Sequence, residues 1–282
     1  MSDESWVVNG PQVIEVDEVR ALRVQLVGGR VDVVTHDEPG ARLEVHDVEG
    51  RPLEVSLGDG ELRVGYSFTL GGWEGWLEKF RNFRDRDRAD VSIAVPRTVV
   101  AKVGTVSADG LVAGIEGQAS VSTVSGSLVV DRTTGRLSAN TVSGEIVVRD
   151  HEGDLSLNSV SGELAASGAL TGVHANAVSG AVAVDLTRGS TTLSATTVSG
   201  DVTVRVPSDE GVHVTANAVS GRLVVDGEEH GRGVPGSRVV DLRRGEAGST
   251  LAVTTVSGDV TVLRGPAAAG PASGGAPAGG TA

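Results

Sequence analysis

The residues best suited to chemistry in this chain are four acids, Glu145, Glu163, Asp201 and Asp259, each standing three places after a valine that opens the phrase Val-Ser-Gly. Carboxylates set side by side by stacked repeats could share a cation, raise one another's pKa, or act on a glycosidic bond as acid and base. The row is broken, however: Ser127, Ala181 and Arg222 take the same place in other copies. An acid after Ser-Gly at a corner is also an ordinary solvated residue. The six histidines, at 36, 46, 151, 174, 213 and 230, show no ligand spacing, and there is no cysteine. Disulfides and thiolate metal sites are therefore excluded. There is no Gly-x-Ser-x-Gly elbow, and Gly28-Gly29 leads into a strand pattern rather than the helix that a phosphate loop requires. The expectation is a protein without catalytic residues, metal or cofactor.

The elements that carry these acids are repeats. Val-Ser-Gly begins at Val124, Val142, Val160, Val178, Val198, Val219 and Val256, at intervals of 18, 18, 18, 20, 21 and 37, with a degenerate copy at Val106. A phrase returning at a fixed interval is a structural unit. The positions five, three and one before the valine are apolar or small, as in Leu137-Ala139-Thr141 and Leu155-Leu157-Ser159, and those between them are polar. That period of two reads as a strand with one buried face. Ser143-Gly144, Ser161-Gly162 and Ser179-Gly180 then read as corners, where glycine accepts a positive φ. Whether the valine itself turns inward is left open by the pattern. A second short apolar run follows, such as Ile146-Val148. The expected product is an all-β fold, a parallel β-solenoid of about nine coils of ~18 residues, rising about 4.8 Å per coil. Asn140, Asn158, Asn176 and Asn217 would form a stacked amide ladder. The long last interval suggests that one coil, near residues 234–242, has lost its signature.

Four regions follow. Residues 1–66 form an N-terminal β region continuous with the solenoid: 22–33 fit the coil template, and 34–66 read as hairpins that would cover the end coil. Residues 67–90 break the β pattern. Trp73, Trp76, Leu77, Phe80 and Phe83 lie at helical spacing, so an amphipathic aromatic helical insertion is expected. It could cap the solenoid, dock another protein or lie on a membrane surface, the last disfavoured by the mixed charge of its polar face. Residues 91–264 hold the repeats. Residues 265–282 contain only Gly, Ala, Pro, Ser and Thr and read as a disordered tail.

Composition narrows the function. A net charge of −13 argues against nucleic-acid binding. The acidic N-terminus is no secretory signal, and no apolar run is long enough to span a bilayer, so the expected location is the cytoplasm. With seven aromatics among 282 residues, the interior must be built from Val, Leu, Ala and Thr.

The phrases TVSGEIVV (141–148) and TVSGDVTV (197–204 and 255–262), with GGRVDVV and VSIAVP ahead of them, resemble a bacterial family of β-strand-repeat domains of unknown function labelled "putative adhesin". The resemblance spans residues 13–264. It implies a right-handed parallel β-solenoid without established catalysis, found at times with cell-envelope stress systems, and it supplies no functional residues. The leading expectation is a non-enzymatic scaffold that holds an unknown protein partner along its wall or aromatic segment. Self-association into a bactofilin-like element is the alternative, and a carbohydrate-active enzyme on the acidic corners comes last.

Overall fold

The computed structural model describes residues 4–66, 87–188, 190–230, 238–245 and 248–265, and every regular element among them is a strand. The chain opens with β1 (Glu4–Val8), β2 (Gln12–Val16), β3 (Ala21–Leu26), β4 (Gly28–His36), β5 (Ala41–Glu49), β6 (Leu53–Gly58) and β7 (Glu61–Gly65). Next come β8 (Arg88–Pro96), β9 (Val100–Thr105), β10 (Asp109–Ala113), β11 (Glu116–Thr123), β12 (Ser127–Asp131) and β13 (Thr134–Thr141). Two long bent strands follow, β14 (Glu145–Ser159) and β15 (Leu164–Ala177), then β16 (Val182–Leu186), β17 (Thr192–Thr197) and β18 (Val202–Pro207). The last are β19 (Val212–Ala218), β20 (Leu223–Val225), β21 (Glu228–His230), β22 (Arg238–Arg244), β23 (Ser249–Thr255) and β24 (Val260–Gly265).

Strands one repeat apart lie side by side, parallel and in register. Leu137 pairs with Leu155 and Leu155 with Val173; on the other wall Leu128 pairs with Ile146 and Ile146 with Leu164. The result is a solenoid-like stack with two walls. One wall runs β7, β3, β9, β11, β13, β14, β15, β17, β23, β19. The other runs β8, β4, β10, β12, β14, β15, β16, β18, β24, β20. The alternating side chains meet between the walls, where Leu128, Leu137, Ile146, Leu155 and Leu157 are fully buried. A Leu or Ile buried in this way contributes about 1.5–3 kcal/mol.

Chain order and stack order part company at both ends. β3–β4 sit inside β7–β8, and β23–β24 sit inside β19–β20. The same strand-and-corner pattern recurs in coils of 18, 20 and 21 residues, so sequence adjacency does not dictate stack adjacency. The ends are covered by antiparallel strands. β6 lies on β7 with β1 outside it, and β5 lies on β8 with β2 outside it. At the other end β22 lies on β19 and β21 on β20.

Several sequence expectations need correction here. Of residues 34–66 only β6 and β7 pair as a hairpin. β5 and β6 diverge at Gly50-Arg51-Pro52 onto opposite walls, proline offering no backbone N–H to continue a ladder. Residues 238–244 are no worn coil, because β22 runs antiparallel along β19. Arg88–Asp90 belong to β8, and they are strand because they pair in register with Gly28–Arg30. The rest of the expected helix, with Trp73, Trp76, Leu77, Phe80 and Phe83, lies outside the described residues, as does the tail beyond Gly265. No helix among the described residues is long and apolar enough to cross a membrane.

Candidate interaction surface

Each corner is built from the four residues Thr/Ser-Val-Ser-Gly, and each has a separate task. The first points inward and its hydroxyl closes the turn: Thr197 Oγ1 accepts from Gly200 N at 2.9 Å and donates to Gly200 O at 2.8 Å. Thr141 and Ser159 donate likewise to Gly144 and Gly162. The serine ties the corner to the coil beneath. Ser143 N and Oγ both donate to Val124 O, at 2.8 and 3.1 Å, and Ser179 does the same to Val160 O, at 2.9 and 3.2 Å.

The glycine is required by close approach. A Cβ on Gly144 would collide with Gly126 O, one on Gly162 with Gly144 O, and one on Gly180 with Gly162 O. None of these three is among the positive-φ residues, so the left-handed backbone expected at the corner is not the reason for glycine here. Coils ~4.8 Å apart leave no room for a side chain above a carbonyl.

The valine points outward. The period of two simply runs one residue past the buried threonine before the bend. Val142 is 39% exposed and Val219 53%, with Val160, Val178, Val198 and Val256 between them. In stack order Val142, Val160, Val178, Val198, Val256 and Val219 form a continuous exposed ridge, one residue per ~4.8 Å layer, while Val124 before them is half-buried and Val106 packs against the core. The pattern could have revealed this, had the alternation been counted through the valine.

Columns of other chemistry flank the ridge. On one side Asn158 Nδ2 donates to Asn140 Oδ1 at 3.0 Å, and Asn176 Nδ2 to Asn158 Oδ1 at 3.1 Å. Asn217 does not extend this ladder, because Thr196 and Thr254 stand between it and Asn176. On the other side run the acids. Asp201 Oδ1 accepts from Asp259 N at 2.8 Å, and Asp259 Oδ1 from Arg222 N at 2.9 Å, with Arg222 Nε on Asp259 Oδ2 at 2.9 Å. Asp109 serves Ser127 N in the same way. Asp109, Asp201 and Asp259 thus each tie their corner to the next. Glu145 and Glu163 are exposed beside the ridge. Among the described residues no three His, Asp or Glu gather to hold a metal.

Elsewhere the chemistry is structural. His151 is buried at the opposite turn, its Nδ1 2.9 Å from Thr133 Oγ1 and 3.0 Å from Thr133 O, its Nε2 3.2 Å from Asp154 O. Burial pushes its pKa down against the pull of these carbonyls. Tyr66 and Asp87, which flank residues 67–86, are both buried, and burial with the nearby Asp87 charge pushes the Tyr66 phenol up. On the outer face of the second wall, small Ala165 and Ala183 between Val147 and Thr203 leave a shallow depression of about 280 Å³, with the Arg205–Asp185 pair at its margin. No acid–base pair converges on it.

A family model described as Toastrack DUF4097 matches residues 86–263, more than half the chain. The chain belongs to the Toastrack DUF4097 family. The match begins just before β8 and ends within β24, so the Toastrack region is the ridge-bearing stack. A solved structure described as a "putative lipid binding protein" from Parabacteroides distasonis is 13% identical, covers 90% of this chain and 97% of its own, and superposes with a TM-score of 0.53. That likeness shows a shared fold. A "putative adhesin" from Parabacteroides merdae is 12% identical over 93% of this chain and 96% of its own, with a TM-score of 0.40. A "putative cell adhesion protein" from Clostridium sporogenes is 12% identical over 90% and 100%, with a TM-score of 0.29. No curated protein matches the chain.

Proposed function

We propose that this Toastrack chain is a non-catalytic, adhesin-like binding domain whose binding surface is the valine ridge. One observation carries the reading. Six repeats place an exposed valine at the same outward position, at 142, 160, 178, 198, 219 and 256, while the buried positions drift between Leu, Val and Ala, as at Ala139, Leu157 and Ala175. Packing explains constancy inside a protein; it does not explain a constant apolar residue that is about half exposed. Continuous exposed apolar surface of this kind marks sites of interaction.

The partner's chemistry follows from the flanks. Glu145, Glu163 and Asp201 edge the ridge, and the whole chain carries a net charge of −13. The complementary partner is a protein segment with an apolar row bordered by lysine or arginine. The same reading takes the stack as a right-handed solenoid of about nine coils, the hand coming from the family resemblance. Self-assembly by end-to-end stacking is the weaker reading, because antiparallel β1, β2, β21 and β22 interrupt the parallel ladder at both ends.

The test is NMR titration with a synthetic twelve-residue peptide alternating valine and lysine. Shifts should concentrate on the methyls of Val142, Val160, Val178 and Val198 and on Glu145 and Glu163. Shifts confined to the acidic N-terminal end around Glu15 and Asp17, with the ridge methyls unmoved, would overturn the proposal.

A further inference from the structure

The last coil of the chain is inserted between two coils that precede it. β23 lies between β17 and β19, with Thr255 opposite Thr197 on one side and Ala218 on the other. β24 lies between β18 and β20, with Val260 opposite Val202 and Leu223. The coils at 192–207 and 212–225, which are neighbours along the chain, are thus held apart by residues 249–265.

The slot is self-complementary. TVSGDVTV at 255–262 stacks on the identical TVSGDVTV at 197–204. Its contacts are those of every other corner: Ser257 N and Oγ donate to Val198 O at 2.9 and 3.2 Å, and Ser220 N and Oγ to Val256 O at 2.9 and 3.3 Å. Asp259 then links Asp201 below to Arg222 above. Nothing in this set depends on the coil belonging to the same molecule.

The connection also suits removal. β22 and β23 flank β19 on opposite edges, Arg244 and Ser249 both standing opposite Val212, and only four residues of sequence, 245–248, separate the two. A short connection leading into an inserted unit is the usual setting for exchange between copies.

We infer that residues 249–265 are an exchangeable coil, and that the partner fitting the slot is the same coil of a second copy. In the exchanged pair each molecule fills the other's slot, every contact above is kept, and the assembly closes as a two-fold dimer.

The chain has no cysteine, so introduced thiols report cleanly. Thr196 and Thr254 are exposed register partners in neighbouring coils, and neighbouring strands lie within the Cα separation a disulfide spans. T196C and T254C chains carrying different tags are mixed at high concentration, passed through mild urea, returned to buffer and oxidised. Asn140 and Asn158, register partners in mid-stack, supply the control pair N140C and N158C. The expected result is a T196C–T254C heterodimer in at least tenfold excess over the N140C–N158C one. Equal yields would mean chance encounter and would overturn the proposal. So would absence of the heterodimer while the double variant T196C/T254C closes its disulfide within one chain.

Discussion

Ser161 donates twice to a single atom: its backbone N–H and its hydroxyl both reach the carbonyl oxygen of Val142, at 2.7 and 3.3 Å. The same double contact recurs at Ser125, Ser143, Ser179, Ser220 and Ser257. It fixes each corner on the one below, and from Val142 onward the valine beside it is exposed.

The glycine column should be the least tolerant part of the stack. Gly162→Ala places a methyl against Gly144 O and the Thr141 side chain, and neither backbone can withdraw without breaking its own ladder. A loss of about 3 kcal/mol or more is expected in urea unfolding. Gly10→Ala, with nothing within 4 Å of the new methyl, should stay within about 0.5 kcal/mol of native.

Thr197→Val keeps the shape of the inward residue but removes the acceptor for Gly200 N. A buried amide left without a partner costs about 1–3 kcal/mol. Thr197→Ser should recover most of that loss in the same unfolding experiment, because Ser159 already fills the equivalent place.

The amide ladder separates Asn158 from Asn217. Asn158 both donates and accepts along the column, so Asn158→Ala should cost about 0.5–1.5 kcal/mol. Asn217, with Thr254 on one side and Val239 on the other, should lose less on the same change. Equal losses at the two positions would remove the ladder as a source of stability.

His151 gives the fold an acid limit. Burial lowers its folded pKa below the ordinary 6.5, so in acid the unfolded chain binds the proton that the folded chain resists. The stability this residue contributes is complete above about pH 6.5 and falls as pH drops through that value toward the folded pKa. Native and His151→Gln proteins unfolded in urea between pH 8 and pH 5 should therefore converge as pH falls. A constant gap between them would contradict the assignment.

Much of the architecture was legible because in-register repeats translate spacing directly into stacking. Leu137, Ala139 and Thr141 alternate as a half-buried strand must, and all three are buried. What escaped the sequence was information the repeat does not carry. Interchangeable coils leave their stack order undetermined, so the insertion of β23–β24 and the antiparallel course of β22 had no local signal. The reason for glycine at 144 and 162 lay in a carbonyl one coil away, beyond any window on the chain. Arg88–Asp90 read as the end of a charged helix until their pairing with Gly28–Arg30 made them strand. The valine direction was written in the alternation, but the bend immediately after it obscured the count.

The measurement that bears most directly on the ridge is calorimetric titration of the alternating valine–lysine peptide into native protein and into V142T/V160T/V178T/V198T. Threonine keeps the β-branched shape at these exposed positions, so the variant should unfold within about 2 kcal/mol of native, roughly 0.5 kcal/mol per surface site. The ridge account predicts binding to the native protein and at least tenfold weaker binding to the equally folded variant. Equal affinity for the two, or a variant that fails to fold, would mean that the valines serve the stack and not a partner.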